Sequence, residues 1–155
     1  MDIVIDNLEG KAIVAFLEAH LADMRAVSPP ESKHALDLDG LKAPEITFWS
    51  ACENGVLVGC GALKELDPAG GEIKSMRVDQ SCRGKGVGSR ILNHIIGEAR
   101  RRGYASLKLE TGSMPFFEPA RRLYRKHGFV DCPPFGEYRE DPNSVFMNLS
   151  LAGPG

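Results

Sequence analysis

The sequence predicts an α/β sandwich: one mixed, mostly antiparallel sheet with helices on both faces. Three observations predict it. Segments 45–53 and 56–66 read as strands joined by Asn54-Gly55, the strongest short signal for a hairpin and so for antiparallel pairing. From residue 72 the pattern becomes strand, helix, strand, helix, strand, which places helices against a sheet. A final segment, 144–151, alternates cleanly, with Val145, Met147, Leu149 and Leu151 on one side.

Taken in order, residues 2–6 form a first strand with Ile3 and Ile5 on one side. Residues 9–24 form an amphipathic helix whose stripe is Ile13, Phe16, Leu17, Leu21 and Met24. Ser28-Pro29-Pro30-Glu31-Ser32 stops that helix, and one short helical turn follows before Asp39. Gly59 and Gly61 inside the second hairpin strand signal a bulge or a close approach of another element. Asp67-Pro68-Ala69-Gly70-Gly71 turns the chain into strand 72–79. A helix from about Gly88 to Arg102 buries Ile91, Leu92, Ile95, Ile96 and Ala99, and Gly103 ends it as a left-handed cap. Leu107 and Leu109 mark a strand over 104–111. A helix over 118–127 has Pro119 in its first turn and Gly128 as its cap, and Phe129-Val130 opens another strand. No repeat, low-complexity tract or linker is present, so residues 1–155 read as one domain.

Composition narrows the function. A chain that is 43% hydrophobic and 26% charged is that of a soluble globular protein, with no run of membrane-spanning length and no basic, apolar leader. Cys52, Cys60, Cys82 and Cys132 form no C-x-x-C pair, so neither a metal site nor a disulfide scaffold is expected, and a cytoplasmic location is. The net charge of −2 hides an asymmetry: residues 72–130 hold 13 Lys+Arg against 5 Asp+Glu, while residues 1–71 hold 5 against 12. A nucleic-acid binder is more often basic throughout, because its affinity scales with the phosphates it neutralises. A basic segment inside an acidic chain suits one compact polyanion instead.

Residues 83–89, Arg-Gly-Lys-Gly-Val-Gly-Ser, hold the strongest functional signal. Glycine at every second position, between a strand and a helix, can turn several backbone N–H groups toward one point at the helix N-terminus. Gly84, Gly86 and Gly88 can take positive φ and bare the main chain, and Arg83 and Lys85 add positive charge. The spacing is not the dinucleotide fingerprint, whose third glycine comes one residue later, nor a Walker A loop.

What the spacing does match is R-x-x-G-x-G, from Arg83 through Gly86 to Gly88. With Ala120-Arg-Arg-Leu123-Tyr124-Arg-Lys-His-Gly128-Phe129 downstream, the chain resembles the GNAT superfamily of N-acetyltransferases over nearly its whole length. Ser-Pro-Pro-Glu-Ser and His-Ala-Leu-Asp are also similar to a subgroup of small bacterial members. The resemblance implies acetyl-CoA as cofactor. It implies that Arg83, Gly84, Lys85, Gly86, Val87, Gly88 and Ser89 hold the pyrophosphate. Met76, Val78, Thr111, Phe117, Ala120 and Tyr124 would line the pantetheine arm, the Val78 N–H polarising the thioester carbonyl. The family often has Asn where this chain has Phe117, so that one hydrogen bond is not expected.

Acetyl transfer to an amine needs a neutral nucleophile, a donor for the oxyanion and a proton for the departing thiolate. By resemblance Tyr124 is the general acid, and Glu72 stands where some members keep a general base. The acceptor site is expected between the first helix, the Pro-Pro loop and segment 133–143. His20, Met24, Arg25, Glu31, Ser32 and His34 are available there, and Tyr138 and Arg139 face them. Arg25 or Arg139 could clamp a carboxylate, so Arg25, His34, Tyr138 and Arg139 are the acceptor candidates. The leading expectation is an N-acetyltransferase for a small amine or amino-acid derivative, and a homodimer is compatible with it. Acetylation of a protein terminus or lysine, and a non-catalytic acyl-CoA sensor, stay open.

Overall fold

The computed structural model describes residues 1–27 and 38–151, and for Met24, Arg25 and Val27 the backbone alone. The elements are β1 (Asp2–Ile5), α1 (Lys11–Val27), α2 (Leu38–Leu41), β2 (Ile46–Glu53), β3 (Val56–Asp67), β4 (Gly70–Val78), α3 (Val87–Arg101), β5 (Ser106–Gly112), α4 (Glu118–Lys126), β6 (Val130–Asp131) and β7 (Ser144–Ser150). Seven strands form one sheet in the order β1-β2-β3-β4-β5-β7-β6. Among the described residues only β4 and β5 run parallel.

The two faces of the sheet are covered by different helices. On one, Ile13 and Leu17 of α1 and Leu41 of α2 pack on Phe48, Cys60 and Ala62. On the other, Ile91, Leu92, Ile95, Ile96 and Ala99 of α3 and Tyr124 of α4 cover Trp49, Leu63, Ile73, Leu107, Leu109 and Met147. The stripe of α3 is the one its 3.6-residue period predicts. Asn54 and Gly55 both have positive φ, 51° and 79°, the backbone a two-residue hairpin requires. Gly59 and Gly61 let α3 approach β3. A Cβ on Gly59 would lie 2.6 Å from Ile91 Cδ1, and one on Gly61 2.8 Å from Ile95 Cδ1.

Several boundaries differ from the sequence reading, each for a local reason. Helix α1 starts at Lys11 rather than at residue 9. Asp6 Oδ1 accepts from the Leu8 N–H at 2.7 Å and Asn7 Oδ1 from the Glu9 N–H at 3.0 Å, so these side chains hold the backbone in turns. The helix also continues to Val27; the turn expected before Asp39 falls mainly outside the described residues, and a helical turn, α2, is described at 38–41. Residues 28–37, with Ser28-Pro29-Pro30, Glu31, Ser32 and His34, lie outside the described residues. Strand β5 starts at Ser106, not 104, because Gly103 (φ 80°) and Tyr104 still close α3, the Tyr104 N–H reaching the Ala99 carbonyl at 3.1 Å. Gly88 does not take positive φ as expected; it sits in the first turn of α3. A Cβ there would meet Leu123 Cδ2 at 3.0 Å, so its smallness serves packing of α3 on α4.

Candidate active site

Parallel pairing of β4 with β5 runs only from Gly70↔Ser106 to Ile73↔Leu109. Beyond that rung β4 and β5 no longer pair with each other, and the strands part into a wedge. Two features of β4 shape this opening. Ser75 has φ 52°, a left-handed backbone that costs a non-glycine residue about 1–3 kcal/mol. It lies in a bulge, since Ala62 pairs with Lys74 and Cys60 with Arg77, leaving Ser75 and Met76 opposite Gly61 alone. The buried Cys60 thiol donates to the Ser75 carbonyl at 3.2 Å, fastening the bulge to β3. Further along, the Asp79 N–H donates to the Val58 carbonyl at 2.8 Å. Alternation along a strand then turns the Val78 N–H and C=O away from β3, toward the wedge.

A cavity of about 510 Å³ occupies the wedge. Its wall joins Glu72 through Val78 of β4, Glu110 to Gly112 of β5, the loop and first turn of α3, and Phe117, Pro119, Ala120, Leu123 and Tyr124 around α4. Leu17 and Leu21 of α1 with Leu38 and Leu41 of α2 close it on the other side.

At one end, Arg83, Gly84, Gly86, Val87, Gly88 and Ser89 form the wall. Gly84 and Gly86 have φ of 79° and 81°, and a Cβ on either would meet nothing within 4 Å. Gly86 is the N-cap of α3 and supplies no side-chain hydrogen bond, so the first-turn amides lack a capping acceptor. Uncapped amides at the start of a 15-residue helix, beside Arg83, favour an anion. The Lys85 side chain is exposed and does not line the cavity. Sequence reasoning missed Lys126, which does reach the wall, and Cys82, which precedes the loop.

In the middle, Tyr124 projects from α4 and is 7% exposed. Its ring meets Phe129 edge-on at 5.8 Å. Burial pushes the phenol well above its ordinary range, and the nearby Glu110 carboxylate pushes it further, so it is a protonated donor at neutral pH. Its hydroxyl makes no hydrogen bond among the described residues. Thr111, Phe117 and Ala120 lie on the same wall. Phe117 packs so closely on Gly112 that a Cβ there would come within 2.1 Å of its ring, and Arg121 donates to the carbonyls of Gly112 and Met114.

At the far end, Glu72 is 3% exposed and inside β4, not at a solvated strand terminus. Its Oε2 accepts from the Tyr138 hydroxyl at 2.6 Å and from Lys74 Nζ at 3.0 Å. Lys74 Nζ also donates to the Tyr138 oxygen at 3.0 Å. Arg77, from the same strand, donates to His20 Nδ1 at 2.9 Å and pairs with Asp23 at 2.8 Å. Burial, then the Arg77 charge, lowers the His20 pKa to about 4, so the ring is neutral with its proton on Nε2. Of the acceptor candidates, Tyr138 is on the wall, whereas Arg139 is exposed and does not line the cavity. The Arg25 side chain and His34 are not among the described residues. Lys74, two residues on, shares a side with Glu72 in the sequence, whereas Arg77, five residues on, is brought to that side by the bulge at Ser75 and Met76.

The profile of the Acetyltransferase (GNAT) family matches residues 13–129. The chain belongs to the GNAT family. It is 58% identical over 151 residues to the "Uncharacterized N-acetyltransferase YsnE" of Bacillus subtilis (strain 168), covering 97% of this chain and 100% of that protein. It is 47% identical over 146 residues to the "Uncharacterized N-acetyltransferase YedL" of Escherichia coli (strain K12), covering 94% and 92%. Its fold is similar to a GNAT acetyltransferase from Elizabethkingia anophelis with acetyl-CoA bound, with a TM-score of 0.68 at 18% identity over 97% of each chain. This GNAT chain is therefore an acyltransferase, and coenzyme A binding follows from its family. No helix among the described residues is long and apolar enough to cross a membrane.

Proposed function

We propose that this chain transfers the acetyl group of acetyl-CoA to the primary amine of a small molecule or amino-acid derivative. One observation carries the reading: a single cavity runs from the uncapped amides of α3, past the Val78 amide, to the Tyr124 phenol. The residues present fit the cofactor, because the open space at Gly84 and Gly86 and the unfilled donors of α3 suit a diphosphate. Acetyl-CoA supplies an activated thioester. Arg83 and the amides from Gly84 to Ser89 bind the diphosphate. Met76 and Val78 offer an unpaired strand edge to the pantetheine amides, and the Val78 N–H polarises the acyl carbonyl. Tyr124, held protonated by burial, gives its proton to the departing thiolate.

The acceptor enters from the face of α1 and α2, where four leucines, Glu72, Lys74 and Tyr138 line the cavity. An assay of free coenzyme A release over a panel of small amines, amino-acid derivatives and peptides tests the reading. Turnover of small amines is expected. Preference for peptide termini or lysines would overturn the acceptor class, and cofactor binding without turnover on any amine would make the chain a sensor.

A further inference from the structure

We propose that His20 is a specificity-determining residue: its Nε2–H donates to an oxygen of the acceptor, so the amine carries a carboxylate or amide oxygen on an apolar frame. The proposal rests on the amine acetyl transfer proposed above and names the second group of the acceptor that the cavity recognises.

The donor follows from what Arg77 can offer. Arg77 Nη1 lies 2.9 Å from His20 Nδ1. A guanidinium has donors and no acceptor, so Nδ1 accepts and the ring proton sits on Nε2. A second proton, on Nδ1, would break that bond, and burial with the Arg77 charge lowers the His20 pKa to about 4. The imidazole is therefore a neutral donor held between α1 and β4. Nε2 has no partner among the described residues. Nor is it sealed off, because the buried side-chain atoms left unpaired there are Arg77 Nε and Ser144 Oγ.

The surroundings say what meets this donor. Leu17, His20 and Leu21 stand at i, i+3 and i+4 on α1, so they share one face, and all three line the cavity. The N–H thus lies beside apolar side chains, with Leu38 and Leu41 of α2 on the same wall. A donor left unpaired there by a ligand is costly, which favours an acceptor that brings an oxygen over one that does not. Arg77 does not compete for that oxygen: Nη1 goes to His20, Nη2 pairs with Asp23 at 2.8 Å, and Nε is buried. Lys74 is likewise engaged by Glu72 and Tyr138. Each ion pair offsets its own charge, so a carboxylate and an amide oxygen can both answer the imidazole.

The test compares kcat/KM for leucine, leucinamide and isopentylamine, which share a frame and differ in the oxygen, and for the best amine of the panel against its oxygen-free analogue. Values are taken per neutral amine, at saturating acetyl-CoA, because the amines differ in pKa. Wild type should prefer an oxygen-bearing member by about tenfold, the worth of one hydrogen bond, and whichever of leucine and leucinamide leads identifies the oxygen. His20→Phe should lose about tenfold on that amine and little on the oxygen-free one, erasing the preference. His20→Gln should keep most of it, since its carbonyl can accept from Arg77 while its NH2 donates to the cavity. An active wild type indifferent to the oxygen, or a His20→Phe that lowers every amine alike, would overturn the inference. A second measurement needs no variant to fold. Two-bond proton–nitrogen spectra of the wild-type ring should show Nε2 protonated and Nδ1 bare at neutral pH. A proton on Nδ1, or titration at the ordinary 6.5, would overturn the fixed donor. Silence of the wild type on every amine would overturn the acetyl-transfer reading, and this inference with it.

Discussion

Replacing Tyr124 by phenylalanine separates chemistry from folding, because the residue lines the cavity and its hydroxyl has no hydrogen-bond partner among the described residues. Removing it forfeits no hydrogen bond within the fold, so stability should change by less than about 1 kcal/mol. The ring stays, with its edge contact to Phe129 and its place in the core. A lost general acid, by contrast, lowers kcat by about 10²–10⁴-fold, on the order of 3–5 kcal/mol in the barrier. Burial and Glu110 raise the Tyr124 pKa, so the fold favours the protonated form. That preference is intact below the ordinary tyrosine value of about 10 and is lost only as pH rises beyond it. Both proteins should therefore be compared between pH 7 and 9, by release of free coenzyme A under saturating acetyl-CoA and by thermal melting. A variant with wild-type kcat, or one that melts much earlier, would refute the assignment of Tyr124 as acid.

Three further outcomes are expected. Because the His20 pKa is depressed from 6.5 to about 4, the neutral ring stabilises the fold. At most on the order of 3 kcal/mol, at about 1.4 kcal/mol per decade, is present above pH 6.5 and lost as pH falls through 4. Urea midpoints of His20→Gln should flatten that acid limb. Gly59→Ala should lower the melting temperature more than Gly61→Ala. A Cβ at Gly59 meets the Arg77 carbonyl at 2.8 Å, whereas the close atoms at Gly61 are tips of isoleucines that can yield. Gly86→Val forces a β-branched residue to φ 81°, at a strain of about 1–2 kcal/mol, and crowds the mouth of the loop. Calorimetry should show coenzyme A bound about tenfold more weakly.

The sequence was legible where local chemistry decides structure. Asn54-Gly55, the buried stripe of α3, the glycine caps at 103 and 128, and the glycines beneath α3 each have a short-range cause, and each stands where expected. Tyr124, Met76, Val78, Thr111, Phe117 and Ala120 reach one cavity because this sheet order brings β4, β5 and the elements around α4 together. What was not legible depends on partners far along the chain. Tyr138 meets Glu72 across 66 residues, and Arg77 meets His20 across 57. Neither period nor propensity reports such contacts. The Ser75 bulge was hidden because serine carries no signal for positive φ. Lys85 and Arg139 are exposed and off the cavity wall, since charge near a site in sequence does not fix where a long side chain points.

Backbone amide resonances followed during titration with coenzyme A test most directly whether the bare main chain before α3 is the diphosphate site. Gly84, Gly86, Val87, Gly88 and Ser89 should move most and saturate together, with Met76 and Val78 following along the wedge. Saturable binding that leaves those amides still, or that moves residues on another face of the sheet, would contradict it.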